Sequence, residues 1–353
     1  MHRQMYVHSC FRLNDNWFES SNELLDFSRT LSTEINNFLN DWFNEEDFVI
    51  VNTSGSTGQP KPIKLRKEHM INSAKATGAF FGLYENTSAL LCMSAGYIAG
   101  KMMLVRAMVL GWHIDVVAPA ANPLSASKKI YDFSAMVPMQ LQASLGELNK
   151  VKKLIVGGGV VNNDLRKEIQ NSSTEIFATY GMTETITHIA VKKLNKENRH
   201  NSFYNTLPNV SLDIDNRGCL IIRAPKVSEE LVTTNDIVKL HSTTSFEWLG
   251  RFDNIINSGG VKLNPETIEE KLSDIIEERF FVSGIPDAVL GEKLVLILEG
   301  NRTESKLMEI KRKVKELVTL TKYEKPKEVF LIPKFVETET KKIQRKKTLD
   351  LVL

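Results

Sequence analysis

Short apolar runs alternate with longer amphipathic stretches through the first half of the chain. The runs FVIV (48–51), ALLCM (89–93), IDVV (114–117), FSAMV (133–137), KLIV (153–156) and EIFA (175–178) have the length and side-chain type of buried strands. Helical patterns lie between several of them, at 67–80, 101–110 and 165–170. Crossovers onto a largely parallel sheet join such elements most economically. From 203 to 250 the texture changes to short alternating strands and turns, as in VSLDIDNRGCLIIRAP, which predicts an antiparallel piece. After GRFDN (250–254) a helical segment, PETIEEKLSDIIEE, opens with Pro265 in its first turn. FFVSG, LVLIL, a second helix near 304–317 and a lysine-rich tail follow. The expected fold is α/β. A large domain of mixed and parallel sheet with helices should span 1–250, a hinge 251–254, and a small α+β domain 255–353.

Composition narrows the function classes. The chain has 353 residues, 42% of them hydrophobic, enough to bury a large core. Its 45 basic and 43 acidic residues leave a net charge of +2, so no overall field draws it to nucleic acid or to an anionic membrane. An anion must then be held locally. Cys10, Cys92 and Cys219 are far apart and form no C-x-x-C pair, which fits free thiols in a reducing compartment better than a disulfide framework or a zinc site. No uninterrupted apolar segment opens the chain, and the apolar stretch MMLVRAMVLGWHIDVVAPA is broken by Arg106, His113 and Asp115. A soluble, cytoplasmic protein is expected.

The candidate chemistry begins at TSGSTGQPK, directly after the apolar run at 48–51. Gly55 and Gly58 let backbone N–H groups approach anionic oxygens; Thr53, Ser54, Ser56 and Thr57 add hydroxyls, and Lys61 adds a charge. This is a phosphate cradle distinct from the P-loop, because Lys61 stands three residues after Gly58 with a proline between. The run LIVGGG ends a predicted strand in Gly157, Gly158 and Gly159, which would allow either flat approach of a purine or a tight strand-to-helix turn. From 341 to 347 the tail carries five cations, the mark of a nucleic-acid arm were it alone.

TSGSTGQPK resembles the phosphate-binding loop of the acyl-adenylate-forming superfamily, and four further stretches resemble its motifs in the same order. Tyr180-Gly181-Met182-Thr183-Glu184, preceded by Thr179, is similar to the adenylate motif. That resemblance implies an aromatic ring on adenine, a threonine at phosphate and a glutamate on Mg²⁺. Thr234-Asn235-Asp236 is similar to T-G-D, implying that Asp236 binds the ribose hydroxyls. Gly250-Arg251-Phe252-Asp253-Asn254 with Ser258-Gly259-Gly260-Val261-Lys262-Leu263 resembles the hinge-and-loop motif, with Asp253 the pivot and Arg251, Gly259 and Gly260 beside ligands. Thr340-Lys341-Lys342-Ile343-Gln344-Arg345 resembles the terminal G-K-I-x-R, with Lys341 in the glycine's place and Lys342 as the catalytic lysine. Gly157, Gly158 and Gly159 resemble the adenine-side loop.

What the resemblance implies is acid–CoA ligation. ATP and Mg²⁺ convert a carboxylate to acyl-AMP and pyrophosphate, and the thiol of coenzyme A then displaces AMP after the small domain rotates about Asp253. Thr183, Glu184 and Lys342 would serve the chemistry, with Glu184 on the metal. The chain is most similar to a shortened o-succinylbenzoate–CoA ligase, through G-Y-I-A-G followed by Leu104-Val105-Arg106 and through Ile256-Asn257-Ser258-Gly259-Gly260. Only about fifty residues precede the phosphate loop, so one N-terminal subdomain is expected to be reduced or absent. Tyr97 stands where many members have histidine, and Arg106 is the candidate to meet a second carboxylate of the acid. The alternatives are another aryl- or acyl-CoA ligase, or a catalytically silent nucleotide-binding module.

Overall fold

The computed structural model describes residues 7–52, 61–196, 203–301, 303–338 and 343–352. Its N-terminal part holds strand β1 (Arg12–Leu13), helices α1 (Ser21–Ser28) and α2 (Thr33–Phe43), and a hairpin of β2 (Phe48–Asn52) and β3 (Pro62–Arg66) leading into α3 (Lys67–Phe81). Ser20 and Ser32 cap α1 and α2 by accepting from the backbone N–H three residues on. Next come β4 (Ser88–Leu91), α4 (Ile98–Leu110), β5 (His113–Val116), β6 (Tyr131–Met136), α5 (Pro138–Ala143), β7 (Val151–Val156), α6 (Asn163–Glu168) and β8 (Glu175–Gly181). These pair in the order β1-β5-β4-β6-β7-β8, all parallel.

Beyond β8 the sheet reverses its habit. Strands β9 (His188–Lys193), β10 (Tyr204–Thr206), β11 (Ser211–Ile214), β12 (Cys219–Arg223), β13 (Val232–Ser242) and β14 (Ser245–Arg251) extend it as β8-β9-β10-β14-β13-β12-β11, antiparallel at every step. The predicted parallel and antiparallel pieces are thus halves of one twelve-stranded sheet. Helix α4 is apolar nearly all round and buried from Gly100 to Met108, as a helix must be when it is covered on both sides. Against it pack Phe38 and Trp42 of α2 and a group of rings in which Phe133 meets Phe81 and Trp112 at 5.7 and 5.5 Å. Cutting Phe133 to alanine should cost about 3–5 kcal/mol.

One predicted strand sits elsewhere. The run at 48–51 joins no parallel sheet: β2 pairs antiparallel with β3, Asn52 opposite Pro62, as a separate two-stranded ribbon. The glycine-rich segment that follows β2 lies outside the described residues, and β3 is the next described element. The mate β3 escapes notice in the sequence because PIKLR alternates charge with apolar residues behind a proline.

A second sheet starts five residues after Arg251. Strands β15 (Ile256–Ser258) and β16 (Val261–Leu263) precede α7 (Pro265–Leu272), then β17 (Phe280–Asp287), β18 (Gly291–Glu299), α8 (Glu304–Glu316), β19 (Glu328–Ile332) and α9 (Arg345–Leu349). Helix α7 stops at Leu272, short of the predicted length, where Ser273 and Asp274 weaken helix propensity and the Ser273 hydroxyl turns back to Glu270 O. The tail is fastened by Arg345, which forks onto both oxygens of the half-buried Glu269 at 2.7 and 2.8 Å and lies over the Phe281 ring. Arg345→Ala would leave Glu269 without its cation, and chemical denaturation should register a loss on the order of 3 kcal/mol.

Candidate active site

Parallel strands β4, β6, β7 and β8 all release their connections at one edge of the sheet, the edge where open α/β sheets take their ligands. Val156 lies opposite Ala178, a Cβ on Gly157 would meet the Thr179 hydroxyl at 2.5 Å, and that hydroxyl donates to Val156 O at 3.2 Å, while Gly158 and Gly159 lie nearest Val137 and Pro138. This is also the point at which the sheet turns from parallel to antiparallel. Gly181 is demanded there: a Cβ would stand 2.1 Å from Thr187 O and 2.5 Å from His188 Cα on the neighbouring strand. We expect Gly181→Ala to force β8 and β9 apart and to lower nucleotide affinity at least about tenfold, measured by calorimetry.

Two motifs far apart in sequence meet at Tyr180 and Asp236. The phenol donates to Asp236 Oδ2 at 2.7 Å, Trp248 Nε1 donates to Oδ1 at 3.2 Å, and Arg251 lies 3.7 Å from the same oxygen. Burial, and then the Asp236 charge, push the phenol's pKa far up, so it stays a donor. Rings of Phe246 and Tyr204 stand edge-on to Tyr180 at 5.0 and 5.8 Å. Arg251 reaches onward to Asp253 Oδ2 at 3.1 Å, and Asn235 Nδ2 donates to both Asp253 oxygens. Asp253 is thus tied to Asp236 through Arg251 and to the neighbouring Asn235 directly.

After Met182 the chain makes a short 3-10 turn over Thr183–Thr185, in which Glu184 is exposed and bonds to no described residue. Ile186 then adopts φ +67° and ψ −67°, with Thr187 N–H donating to Thr185 O at 2.8 Å. A buried β-branched residue at positive φ is strained backbone held in place by its surroundings. The kink presents Thr187 to Arg106.

Arg106 lies in the third turn of α4 and is 2% exposed. Its Nε donates to Thr77 Oγ1 at 3.3 Å and its Nη2 to Thr187 Oγ1 at 3.1 Å. No carboxylate among the described residues pairs with it, and burial alone pulls its pKa down to about 10, still cationic at neutral pH. Beside it His188 is buried and neutral, its pKa lowered by burial first and by Arg106 second.

The remaining predicted residues are not all drawn together. Thr53–Gly58 and Lys342 lie outside the described residues, and Lys61 is exposed just ahead of β3. Tyr97, at the start of α4, is 50% exposed. Gly259 and Gly260 make the turn between β15 and β16 at φ +58° and +80°, and no hydrogen bond among the described residues links them to Tyr180 or Asp236.

A family model described as AMP-binding enzyme matches residues 7–228, well over half of the chain. The chain belongs to that family. As an AMP-binding enzyme it is an AMP-forming acid–thiol ligase. It is similar to the 2-succinylbenzoate–CoA ligase of Lactococcus lactis, 25% identical over 329 residues, covering 87% of this chain and 71% of the relative. The enzyme of that name from Staphylococcus epidermidis is 26% identical over 339 residues, covering 86% and 70%. Among solved structures, an acyl-CoA synthetase (AMP-forming)/AMP-acid ligase II-like protein from Dyadobacter fermentans is 36% identical with a TM-score of 0.62, covering 95% of this chain and 99% of that one. The Bacillus subtilis O-succinylbenzoate coenzyme A synthetase, in complex with ATP and magnesium ion, has a TM-score of 0.73 at 18% identity, covering 96% and 83%.

Sequence reasoning alone missed several residues of the candidate site in this AMP-binding enzyme. Thr77, Thr187 and His188 surround Arg106, and Trp248 shares Asp236 with Tyr180. Thr187 sits three residues past Glu184, close enough to the motif to have been weighed with it. Thr77 and Trp248 had no local signal, being brought in by helix packing and strand pairing.

Proposed function

We propose that the chain activates an acid bearing a second carboxylate, with o-succinylbenzoate the leading candidate, by adenylating it with MgATP and passing the acyl group to coenzyme A. The observation that carries the substrate reading is Arg106: a buried guanidinium with two threonine hydroxyls and no acid among the described residues. A cation in that state is costly, and a substrate carboxylate would compensate it. Joining the other carboxylate to AMP gives it a leaving group it otherwise lacks. The similar ligases named for 2-succinylbenzoate agree with this choice.

In this reading Tyr180 and Asp236 hold the adenosine, and the ribose hydroxyls share the Asp236 carboxylate with the Tyr180 and Trp248 donors. Glu184, exposed and unbonded to any described residue, fits a hard oxygen ligand for Mg²⁺, which when bound offsets phosphate charge. Thr183 faces the same phosphates, while Thr57, Lys61 and Lys342 bring donors and cations from their own segments. Glu184→Gln should weaken MgATP-dependent adenylation at least about tenfold more than it weakens AMP binding, since AMP needs less charge offset. Equal losses would remove Glu184 from the metal. The function itself is tested with a panel of mono- and dicarboxylic acids, followed by pyrophosphate release and by coenzyme A thioester formation. Release with dicarboxylates only is expected; ATP binding without turnover of any acid would favour a silent module.

A further inference from the structure

Away from the sheet edge, His8, Cys10 and Glu85 bring their ligating atoms within 4.8 Å of one another. His8 and Cys10 precede β1, and Glu85 lies in the connection from α3 to β4. Cys10 Sγ is 3.6 Å from Glu85 Oε2, and His8 Nε2 is 3.8 Å from the same oxygen. A tetrahedral zinc ion with ordinary sulfur, nitrogen and oxygen bond lengths sets neighbouring ligand atoms about 3.4–3.6 Å apart. The two spacings to Glu85 therefore need to contract by only a few tenths of an ångström, and the third, which lies within 4.8 Å, by about 1.2 Å at most.

The imidazole is held in place before any ion arrives. The His8 backbone N–H donates to Met108 O at 2.8 Å, its backbone carbonyl accepts from Phe11 N–H at 2.9 Å, and the ring lies against Gly111, where a Cβ would come within 2.5 Å of Nδ1. Glu85 is the adaptable member, with 58% of its side chain exposed, and the His8 side chain is 37% exposed. Solvent therefore reaches the group, and a water can complete the tetrahedron.

We infer that His8, Cys10 and Glu85 form a three-ligand site for a zinc ion, which ties the start of the chain to the loop after α3. The proton balance follows from the hydrogen bonds. Nδ1 accepts from Cys10 N–H at 3.2 Å, which places the neutral ring's proton on Nε2, facing Glu85. Ligation through Nε2 moves that proton to Nδ1 at the expense of the Cys10 N–H bond. The thiol proton leaves to solvent as sulfur becomes a thiolate ligand, so each zinc releases one proton and binding tightens as pH rises. Nothing is oxidised or reduced. The site is independent of the proposed substrate.

The test is a titration of the chelator-treated full-length chain with zinc chloride against a chromogenic chelator, at two pH values. One zinc per chain is expected, with affinity about tenfold or more higher at pH 8 than at pH 6.5. His8→Ala and Cys10→Ser should each weaken it at least about tenfold, Glu85→Gln less, and zinc should raise the melting midpoint of the wild-type chain but not of Cys10→Ser. Absence of stoichiometric zinc at about 100 µM would overturn the inference. So would zinc binding that survives either His8→Ala or Cys10→Ser undiminished.

Discussion

Arg106→Leu should raise the Michaelis constant for a dicarboxylic acid about 30- to 150-fold while leaving a monocarboxylic acid of similar shape nearly unaffected. The magnitude is that of a charge-assisted hydrogen bond in a buried setting, about 2–3 kcal/mol. Stability should move the other way. Arg106 has no counter-ion among the described residues, so leucine removes a desolvation cost that offsets the smaller volume it fills, and the melting midpoint should hold or rise. The opposed signs separate a substrate role from a structural one. A fall in stability with an equal loss on both acids would mean that Arg106 serves packing, and an unchanged constant for the dicarboxylic acid would dismiss it from the site.

Lys342→Ala should slow acyl-AMP formation from acid and ATP by about 10²–10³ or more, the usual effect of losing one preorganised donor, with a full charge lost as well. An ammonium on a long stem suits the α-phosphate and the attacking carboxylate, where negative groups are brought together. If the small domain rotates between the half-reactions, coenzyme A thioester formation from presupplied acyl-AMP should be largely spared. Lys341→Ala, the loss of a solvated cation, is the control and should change neither step. Equal slowing of both half-reactions by Lys342→Ala would end the two-conformation reading. The residue is placed by its sequence motif alone; Arg345, three residues on, is bound to Glu269 on α7.

How much of this the sequence disclosed depends on how local each signal was. The strands at 89–93, 133–137 and 153–156 are legible because burial on both faces leaves continuous apolar runs. The hairpin was not, since β2 carries the same kind of run while its partner β3 alternates charge, and a run cannot say with what it pairs. Nor can a pattern show that the antiparallel piece continues the parallel one, because the pairing of β8 with β9 is made across a turn whose geometry rests on strained Ile186. In the site, Tyr180 and Asp236 were each visible as members of motifs, but their hydrogen bond to one another is tertiary. Arg106 is legible as a cation on a predicted helix just past Tyr97. Its burial, and the lack of a carboxylate beside it among the described residues, are facts of packing.

The hydrogen bond from Trp248 to Asp236 gives the enzyme an optical reporter. Of the four tryptophans, Trp42 and Trp112 are 1% and 0% exposed in the core and Trp17 lies 52% exposed near the start of the chain. Only Trp248 has its indole N–H on Asp236, the carboxylate proposed to hold the ribose. When ribose hydroxyls reach Asp236, that donor must share or yield its acceptor, and the indole's emission should shift in step with nucleotide occupancy. Stopped-flow fluorescence of the unlabelled protein would then time nucleotide arrival directly, and Trp248→Phe would silence the signal while the other three continue to emit.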